Sequence, residues 1–311
     1  MKYTIIFLSI LCVGTWPCLT AELIPELKGI VIVSDAKTIK AAGRPGLTGV
    51  FIEGSDFLAK EKVADALKSY FGLPLSAEEL IGLQKTLVKL CRAEDRPIVD
   101  VVVPEQEIVD GVIQIVVITA KIGAVTVMNE GEKHVPDEKV LNTFKLKAGE
   151  EISAAKTGEA ADWFNRHPFR SVDIGYKRGA VGSSDVILTV NDKRPWKFYS
   201  TLENTGTKAL GKNQVAAGSV WALPHDQDQI MSYEYRTDTH ATKLKSHILG
   251  YQYLLPSKHY LNLTGYYSET SAGVDQFFPG MTQDGESWLG SIRYGMPLAQ
   301  SPSYKPELQF G

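Results

Sequence analysis

The hydrophobic positions change rhythm once along the chain, at Arg194-Pro195-Trp196. Beyond Trp196 apolar and polar residues alternate. Met231, Tyr233 and Tyr235 are separated by Ser232, Glu234 and Arg236; Leu249, Tyr251, Tyr253 and Leu255 by Gly250 and Gln252; Leu261, Leu263 and Gly265 by Asn262 and Thr264. Trp288, Ile292, Tyr294 and Met296 share a face opposite Ser287, Ser291 and Arg293. A period of two predicts strands with one apolar and one polar face. Polar or turn-forming stretches divide them at 204–211, 224–228, 238–242, 256–258 and 280–285. Strands of about ten residues with this pattern match a transmembrane barrel, with tyrosines and tryptophans near the strand ends as its interfacial girdles. A soluble β-sandwich also alternates, but the long strands and the one-sided aromatics favour the barrel.

Ahead of Arg194 the rhythm is mixed. Gly49–Glu53 reads as a strand ending in a turn at Gly54. Leu58, Val63, Leu67, Tyr70 and Phe71 recur at helical spacing until Gly72-Leu73-Pro74 stops them. Ser76 and Glu79 form a predicted capping box, and the helix it opens lines up Leu80, Leu83, Leu87, Leu90 and Cys91. Pro97 ends that helix. Ile98–Val103 and Val112–Ile118 are β-branched strands, separated by a corner at 104–107 and a turn at Val109-Asp110-Gly111. The order strand, helix, helix, strand, strand then recurs. It runs through Ile122–Met128, a turn at Asn129-Glu130-Gly131, helices at Pro136–Phe144 and Ser153–Asn165, and strands at Val172–Lys177 and Val186–Val190. The predicted fold class is therefore two α+β modules of β-α-α-β-β order followed by an antiparallel transmembrane β-barrel. The expected divisions are 1–21, an N-terminal segment and linker at 22–47, modules at 48–120 and 121–193, and barrel strands from 194 to 311.

Composition sharpens this reading. Of 29 aromatics, 17 lie at or after Trp196, whereas the stretch from Glu22 to Pro195 holds nine; so sharp a shift marks a change of surroundings from water to bilayer. The net charge of −3 is nearly balanced, with no basic stripe, which argues against nucleic acid as a partner. Residues 1–21 read as a signal peptide, with Lys2, the apolar stretch Ile5–Val13 and a cleavage site after Leu19-Thr20-Ala21. Cys12 and Cys18 leave with it. Cys91 then stands alone on the apolar side of a helix, a buried structural thiol with no disulfide partner.

The first module carries Phe71-Gly72-Leu73-Pro74-Leu75-Ser76, then Ile98-Val99-Asp100-Val101-Val102-Val103-Pro104-Glu105-Gln106, then Asp110-Gly111; further on, Arg194-Pro195 leads into a strand that ends at Glu203-Asn204-Thr205-Gly206-Thr207. In this combination the chain resembles, over residues 48 to 311, the two-partner secretion transporters of the Gram-negative outer membrane, the haemolysin secretion/activation family. The resemblance implies a signal peptide, two periplasmic POTRA domains and a C-terminal barrel. It also implies a secreted partner of the haemolysin or adhesin type, recognised unfolded by the POTRA domains and passed through the pore by a monomeric, lipid-embedded transporter. The family's signature arginine loop comes late in the barrel, past Gly311, and residues 22–47 offer no amphipathic helix of the kind some members use as a plug. About six barrel strands and the start of a seventh at Leu308–Phe310 are expected, as in a piece of a longer protein.

No catalytic, cofactor or metal constellation emerges, and an enzyme is not expected. The six histidines lack zinc-site spacing. His225-Asp226-Gln227-Asp228 reads as a solvated hairpin turn sooner than a cation loop. Gly179–Ser184 is glycine-rich but opens no helix, and Ser76 and Ser153 read as helix caps. The chemistry left is strand addition to an exposed sheet edge. Candidate client-binding residues are Val99, Val101 and Val103, Val112, Ile113 and Ile115, and Val186 and Leu188, with edge and centre undistinguished. Arg194, Pro195 and Trp196 mark the start of the barrel. Two other functions compete: an outer-membrane assembly insertase of the same superfamily, and a periplasmic scaffold with a soluble β domain.

Overall fold

The structure is a computed structural model that describes residues 3–4, 22–180, 182–223, 228–273, 280–298 and 304–311. Most of the expected signal peptide, residues 1–2 and 5–21, lies outside the described residues, as do His225, Asp226 and Gln227. Strand β1 (Tyr3–Thr4) pairs with β7 (Glu107–Ile108). Packing divides the chain into two compact units. One joins Met1–Thr126 with Lys145–Thr157 and Gly175–Ile187; the other joins Val127–Phe144 with Gly158–Ile174 and Leu188–Gly311. This division does not follow the expected limits of the second module.

In the first unit a short pair, β2 (Glu22–Ile24) with β5 (Leu75–Ser76), precedes a four-stranded sheet. Its strands are β3 (Gly29–Val33), β4 (Gly49–Glu53), β6 (Val99–Val102) and β8 (Val112–Thr119), in the order β4-β3-β8-β6. Strand β3 runs parallel to both β4 and β8, and β6 runs antiparallel to β8. The N-terminal segment and linker expected at 22–47, whose Ile30–Val33 run reads as a short strand, thus supplies a central strand of this sheet. Its run Gly-Ile-Val-Ile-Val is buried at every position because both faces are covered, as continuous apolar strands of parallel sheets are. On one face Ile30 and Ile32 pack with Leu67 of helix α1 (Lys60–Leu67) and with Leu83, Leu87 and Cys91 of α2 (Ala77–Ala93). On the other, Val31 and Val33 pack with Val112, Val116, Ile39 and Leu47. The capping box forms: Ser76 Oγ accepts the Glu79 N–H at 3.2 Å, and a Glu79 carboxylate oxygen accepts the Ser76 N–H at 2.7 Å.

Strands β9 (Lys121–Gly131), β10 (Arg170–Arg178) and β11 (Ser183–Asp192) form a three-stranded sheet in the order β10-β11-β9. Helices α3 (Asp137–Phe144) and α4 (Ala154–Phe164) lie between β9 and β10 in sequence, in the expected order. The expected turn at 129–131 is instead the end of β9, which runs on to Gly131. There φ is +106°, and a Cβ would stand 2.9 Å from the Asp192 carbonyl oxygen. The chain turns only afterwards, where an Asp192 carboxylate oxygen accepts the N–H groups of His134 and Val135 at 2.7 Å.

The second unit holds a seven-stranded antiparallel meander: β12 (Trp196–Glu203), β13 (Gln214–Ala222), β14 (Gln229–Asp238), β15 (Leu244–Leu254), β16 (Tyr260–Gly273), β17 (Thr282–Pro297) and β18 (Glu307–Phe310). Its register carries the sequence alternation across the whole sheet. Trp196, Trp221, Met231, Tyr251, Leu263 and Ile292 form one cross-strand row of the apolar face. On the opposite face Tyr199 donates to Glu234 at 2.9 Å, and Arg236 pairs with Glu203 and Glu234, each at 3.1 Å. Two glycines permit close approach of tyrosine rings. A Cβ at Gly218 or Gly295 would stand 2.5 Å from the Tyr199 ring or 2.0 Å from the Tyr260 ring, each the residue paired opposite.

Candidate functional site

The four-stranded sheet ends in β6 on one side, and this edge is where the sequence-derived candidates separate. Val112, Ile113 and Ile115 lie in β8 and are buried; one side of this stretch is paired with β3, and on the other, ahead of the pairing with β6 at Val116–Thr119, the Gln106 side-chain amide bonds the N–H and C=O of Gln114 and the Val109 carbonyl accepts the Val112 N–H. Val186 and Leu188 lie in β11, the middle of three strands, and are buried. These five residues are core. A client strand needs an open main-chain edge, and the main-chain groups beside these five already have partners within the protein. Val99 and Val101 stand in the edge strand, half-buried, with their side chains turned onto the helix-covered core; Val103, just past the strand, packs on the same core.

The main chain of β6 shows which of its groups face outward. The Ile98 carbonyl accepts the Ala120 N–H at 3.0 Å, so it points into the sheet. Alternation along an antiparallel strand then aims the N–H and C=O groups of Val99 and Val101 away from β8. The outward Val101 carbonyl accepts the side-chain amide of Gln84 at 3.0 Å, from helix α2. Along that flank of α2, Ile81 is half exposed and Val88 partly buried, so an apolar shoulder runs beside the edge.

The other face of the same strand borders a groove of about 410 Å³, lined by Ile98, Asp100, Ile118, Ala120, Tyr176 and small residues of the 179–184 hairpin. Asp100 and Arg178, both largely exposed, meet at its mouth at 3.1 Å. The Ser183 N–H is bonded to the Ala180 carbonyl at 2.9 Å, and Ser183 begins a strand and not a helix. Asp95 closes the start of α4: one carboxylate oxygen accepts the Ala155 N–H at 2.8 Å and the other the Ser153 hydroxyl. Ser153 also caps the helix through Lys156 N–H at 3.1 Å, as expected of it. Cys91 is buried, and burial pushes its thiol up to about 11, so it stays protonated and inert at neutral pH.

Arg194, Pro195 and Trp196 stand at the start of the meander. Trp196 is the first residue of β12, the Pro195 carbonyl accepts the Ala222 N–H at 2.8 Å, and Arg194 pairs with Glu132 at 3.1 Å. The hydrogen bond from His134 and the pairing with Arg194 hold the Glu132 carboxyl below its ordinary range. Elsewhere in this unit, helix α4 and its surroundings are tied to the strand-connecting turns. Asp228 takes Arg170 at 2.7 Å and Lys139 at 2.8 Å; Glu159 takes Lys258 and Asp162 takes Lys305, each at 2.6 Å; and Arg166 pairs with Glu307. Burial would raise the Asp228 carboxyl, but Arg170 and Lys139 outweigh it and the net shift is downward. Asp228 is thus an ion-paired anchor and not the solvated turn residue expected. No group of three or more His, Cys, Asp or Glu side chains among the described residues is arranged to hold a metal ion.

Gln84, Asp100 and Arg178 are site residues that sequence reasoning missed. The one usable signal was Gln84, a polar residue on a helix flank between Ile81 and Val88.

Residues 182–311 match the family model of the haemolysin secretion/activation protein ShlB/FhaC/HecB. The chain is 23% identical over 160 residues to the heme/hemopexin transporter protein HuxB of Haemophilus influenzae, a match covering 51% of this chain and 28% of that relative. It is 26% identical over 172 residues to the outer membrane transporter CdiB-2 of Burkholderia pseudomallei, covering 52% and 28%. The matches thus span less than a third of the length of these curated relatives. The fold is similar to CdiB from Escherichia coli, with a TM-score of 0.62, 15% identity, and coverage of 96% of this chain and 52% of that one. CdiB from Acinetobacter baumannii gives 0.53, 14%, 93% and 52%. The resemblance to two-partner secretion transporters is borne out, and with it the fold class of POTRA-like α/β structure joined to part of an outer-membrane β-barrel.

Proposed function

We propose that this chain recognises an unfolded exported partner in the periplasm and delivers it to an outer-membrane β-barrel, as one component of two-partner secretion. The observation that carries the reading is the edge strand Val99–Val102, whose outward main-chain groups lie between an apolar helix flank and a groove, in a chain that also carries an amphipathic seven-stranded sheet. Main-chain pairing at such an edge takes up a client regardless of its sequence, and flanking apolar surface favours clients that alternate apolar and polar residues. The first POTRA module then begins at β3 and not at residue 48, and the second comprises the three-stranded sheet with α3 and α4. The partner is an exported protein of the haemolysin or adhesin type, which the family resemblance supports. The barrel face bearing Glu203, Glu234 and Arg236 is the polar lumen, and the opposite face meets lipid.

The test removes one outward donor. Val99→Pro deletes an N–H that points away from β8 and leaves the ladder with β8 intact, as proline is tolerated at sheet edges. A fluorescein-labelled ten-residue peptide of alternating threonine and valine is titrated against the full chain in detergent, with binding read by polarisation. Affinity is expected to fall at least tenfold in the variant. Equal affinity for the two proteins would remove β6 as the client-binding edge.

A further inference from the structure

We infer that Gln84 is a competitor built into the client-binding edge: its side-chain amide occupies the Val101 carbonyl that an arriving strand must engage. This rests on the edge reading above and adds to it the residue that sets its affinity. The Gln84 Nε2 donates to Val101 O at 3.0 Å, and the bond is partly buried. Val101 O belongs to the outward set, since the Ile98 carbonyl, three residues earlier in the alternation, is bonded inward to Ala120. In an antiparallel addition one client residue would exchange two bonds with Val101, giving its N–H to this carbonyl and accepting the Val101 N–H. The Gln84 amide supplies the first of those bonds from within the molecule.

Helix geometry fixes the reach. Gln84 lies one turn after Ile81 and one turn before Val88, on the flank of α2 that borders β6, while Leu83 and Leu87 anchor the helix in the core. A side chain held by a buried helix can cover a strand edge without moving the strand. Unpaired edges invite pairing with any exposed strand, and proteins blunt them with polar side chains. Gln84 does so with a neutral donor, which a main-chain N–H replaces at little cost, whereas a lysine there would resist every client. The edge is thereby closed to weak, accidental pairing and open to strands that also fill the flanking surfaces.

The consequence is a gain of binding on truncation. Gln84→Ala frees the Val101 carbonyl, and the alternating threonine-valine peptide is expected to bind the full chain about three- to tenfold more tightly, the worth of one neutral hydrogen bond. Gln84→Asn, too short to reach the edge, is expected to do the same and guards against a packing defect special to alanine. If Gln84 merely braces β6, both variants bind the peptide equally or more weakly than the parent, and the inference falls. The Val99→Pro variant separates this from failure of the edge reading. Loss of binding with Val99→Pro alongside unchanged binding with Gln84→Ala overturns only the role of Gln84. Unchanged binding with Val99→Pro overturns both.

Discussion

The four-stranded sheet of the first unit and the seven-stranded sheet of the second use similar residues and solve different problems. In the first, β3 is apolar at five successive positions and all five are buried by protein on both faces. In the second, Leu202 and Trp288 are each 82% exposed and Phe198 is 75% exposed, all on one face, opposite a face of ion pairs. The first sheet brings its own apolar partner in helices α1 and α2. The second leaves that role to the bilayer. Burial by protein demands complementary shape, because rigid neighbours cannot refill a void; lipid refills it at once. The same substitution should therefore cost different amounts in the two sheets.

Leucine-to-alanine changes test that difference most directly. Leu87, fully buried against the first sheet, should lose about 3–5 kcal/mol on truncation, from transfer and cavity together. Leu249, on the lipid face of β15, should lose only the transfer part, about 2 kcal/mol, since acyl chains fill the gap. Urea unfolding of the reconstituted protein, followed by far-UV circular dichroism and by electrophoretic mobility without heating, measures both. Equal losses would mean that the apolar face of the meander is covered by protein.

Charge sharpens the contrast between the two faces of the meander itself. Leu249→Arg sets a guanidinium near the middle of a lipid-facing strand and should cost about 2–4 kcal/mol. Thr264→Arg, on the adjoining strand but on the polar face and exposed, should stay within about 0.5 kcal/mol. Reversal of that order would exchange the lumen and lipid faces.

The sequence was most legible where local pattern decides structure. Period-two alternation predicted the meander and its faces, because register in a half-buried sheet follows side-chain direction. Ser76 and Glu79 announced their helix start three residues apart. What escaped was non-local. Ile30–Val33 reads locally as a short strand, but the partners of β3 lie 20 residues away at Gly49 and 83 away at Val112, so nothing nearby placed it inside the first module. Edge and centre strands were equally β-branched: Val99–Val102 and Val112–Thr119 differ in what flanks them, not in what they contain. Gln84 became a site residue only when the Val101 carbonyl came within 3.0 Å of it. The anchor at Asp228 depends likewise on Arg170 and Lys139, far from it in sequence.

A smaller loss than that of either leucine truncation separates the two sheets by mechanism of start-up instead of by solvent. A strand meander has no helix end to satisfy, but α2 leaves four N–H groups without intrahelical partners, and the capping box takes one of them and returns a bond to Ser76 N–H. Ser76→Ala should therefore destabilise the first unit by about 1 kcal/mol and leave the meander untouched. The hydrogen bonds from the Ser76 backbone and the neighbouring cap lower the Glu79 carboxyl below its ordinary value. A lowered folded-state value stabilises above the unfolded pKa of about 4.3 and is lost as pH falls through the folded value. The Glu79 contribution should accordingly be full at neutral pH and shrink in acid in both proteins, so the Ser76→Ala deficit, which comes from the lost hydroxyl acceptor of the Glu79 N–H, should change little between pH 7 and pH 3. Thermal unfolding of the first unit, followed at pH 7 and pH 3, measures both arms. A deficit that disappears at pH 3 would show that Ser76 acts through the Glu79 carboxylate and not through its own hydroxyl.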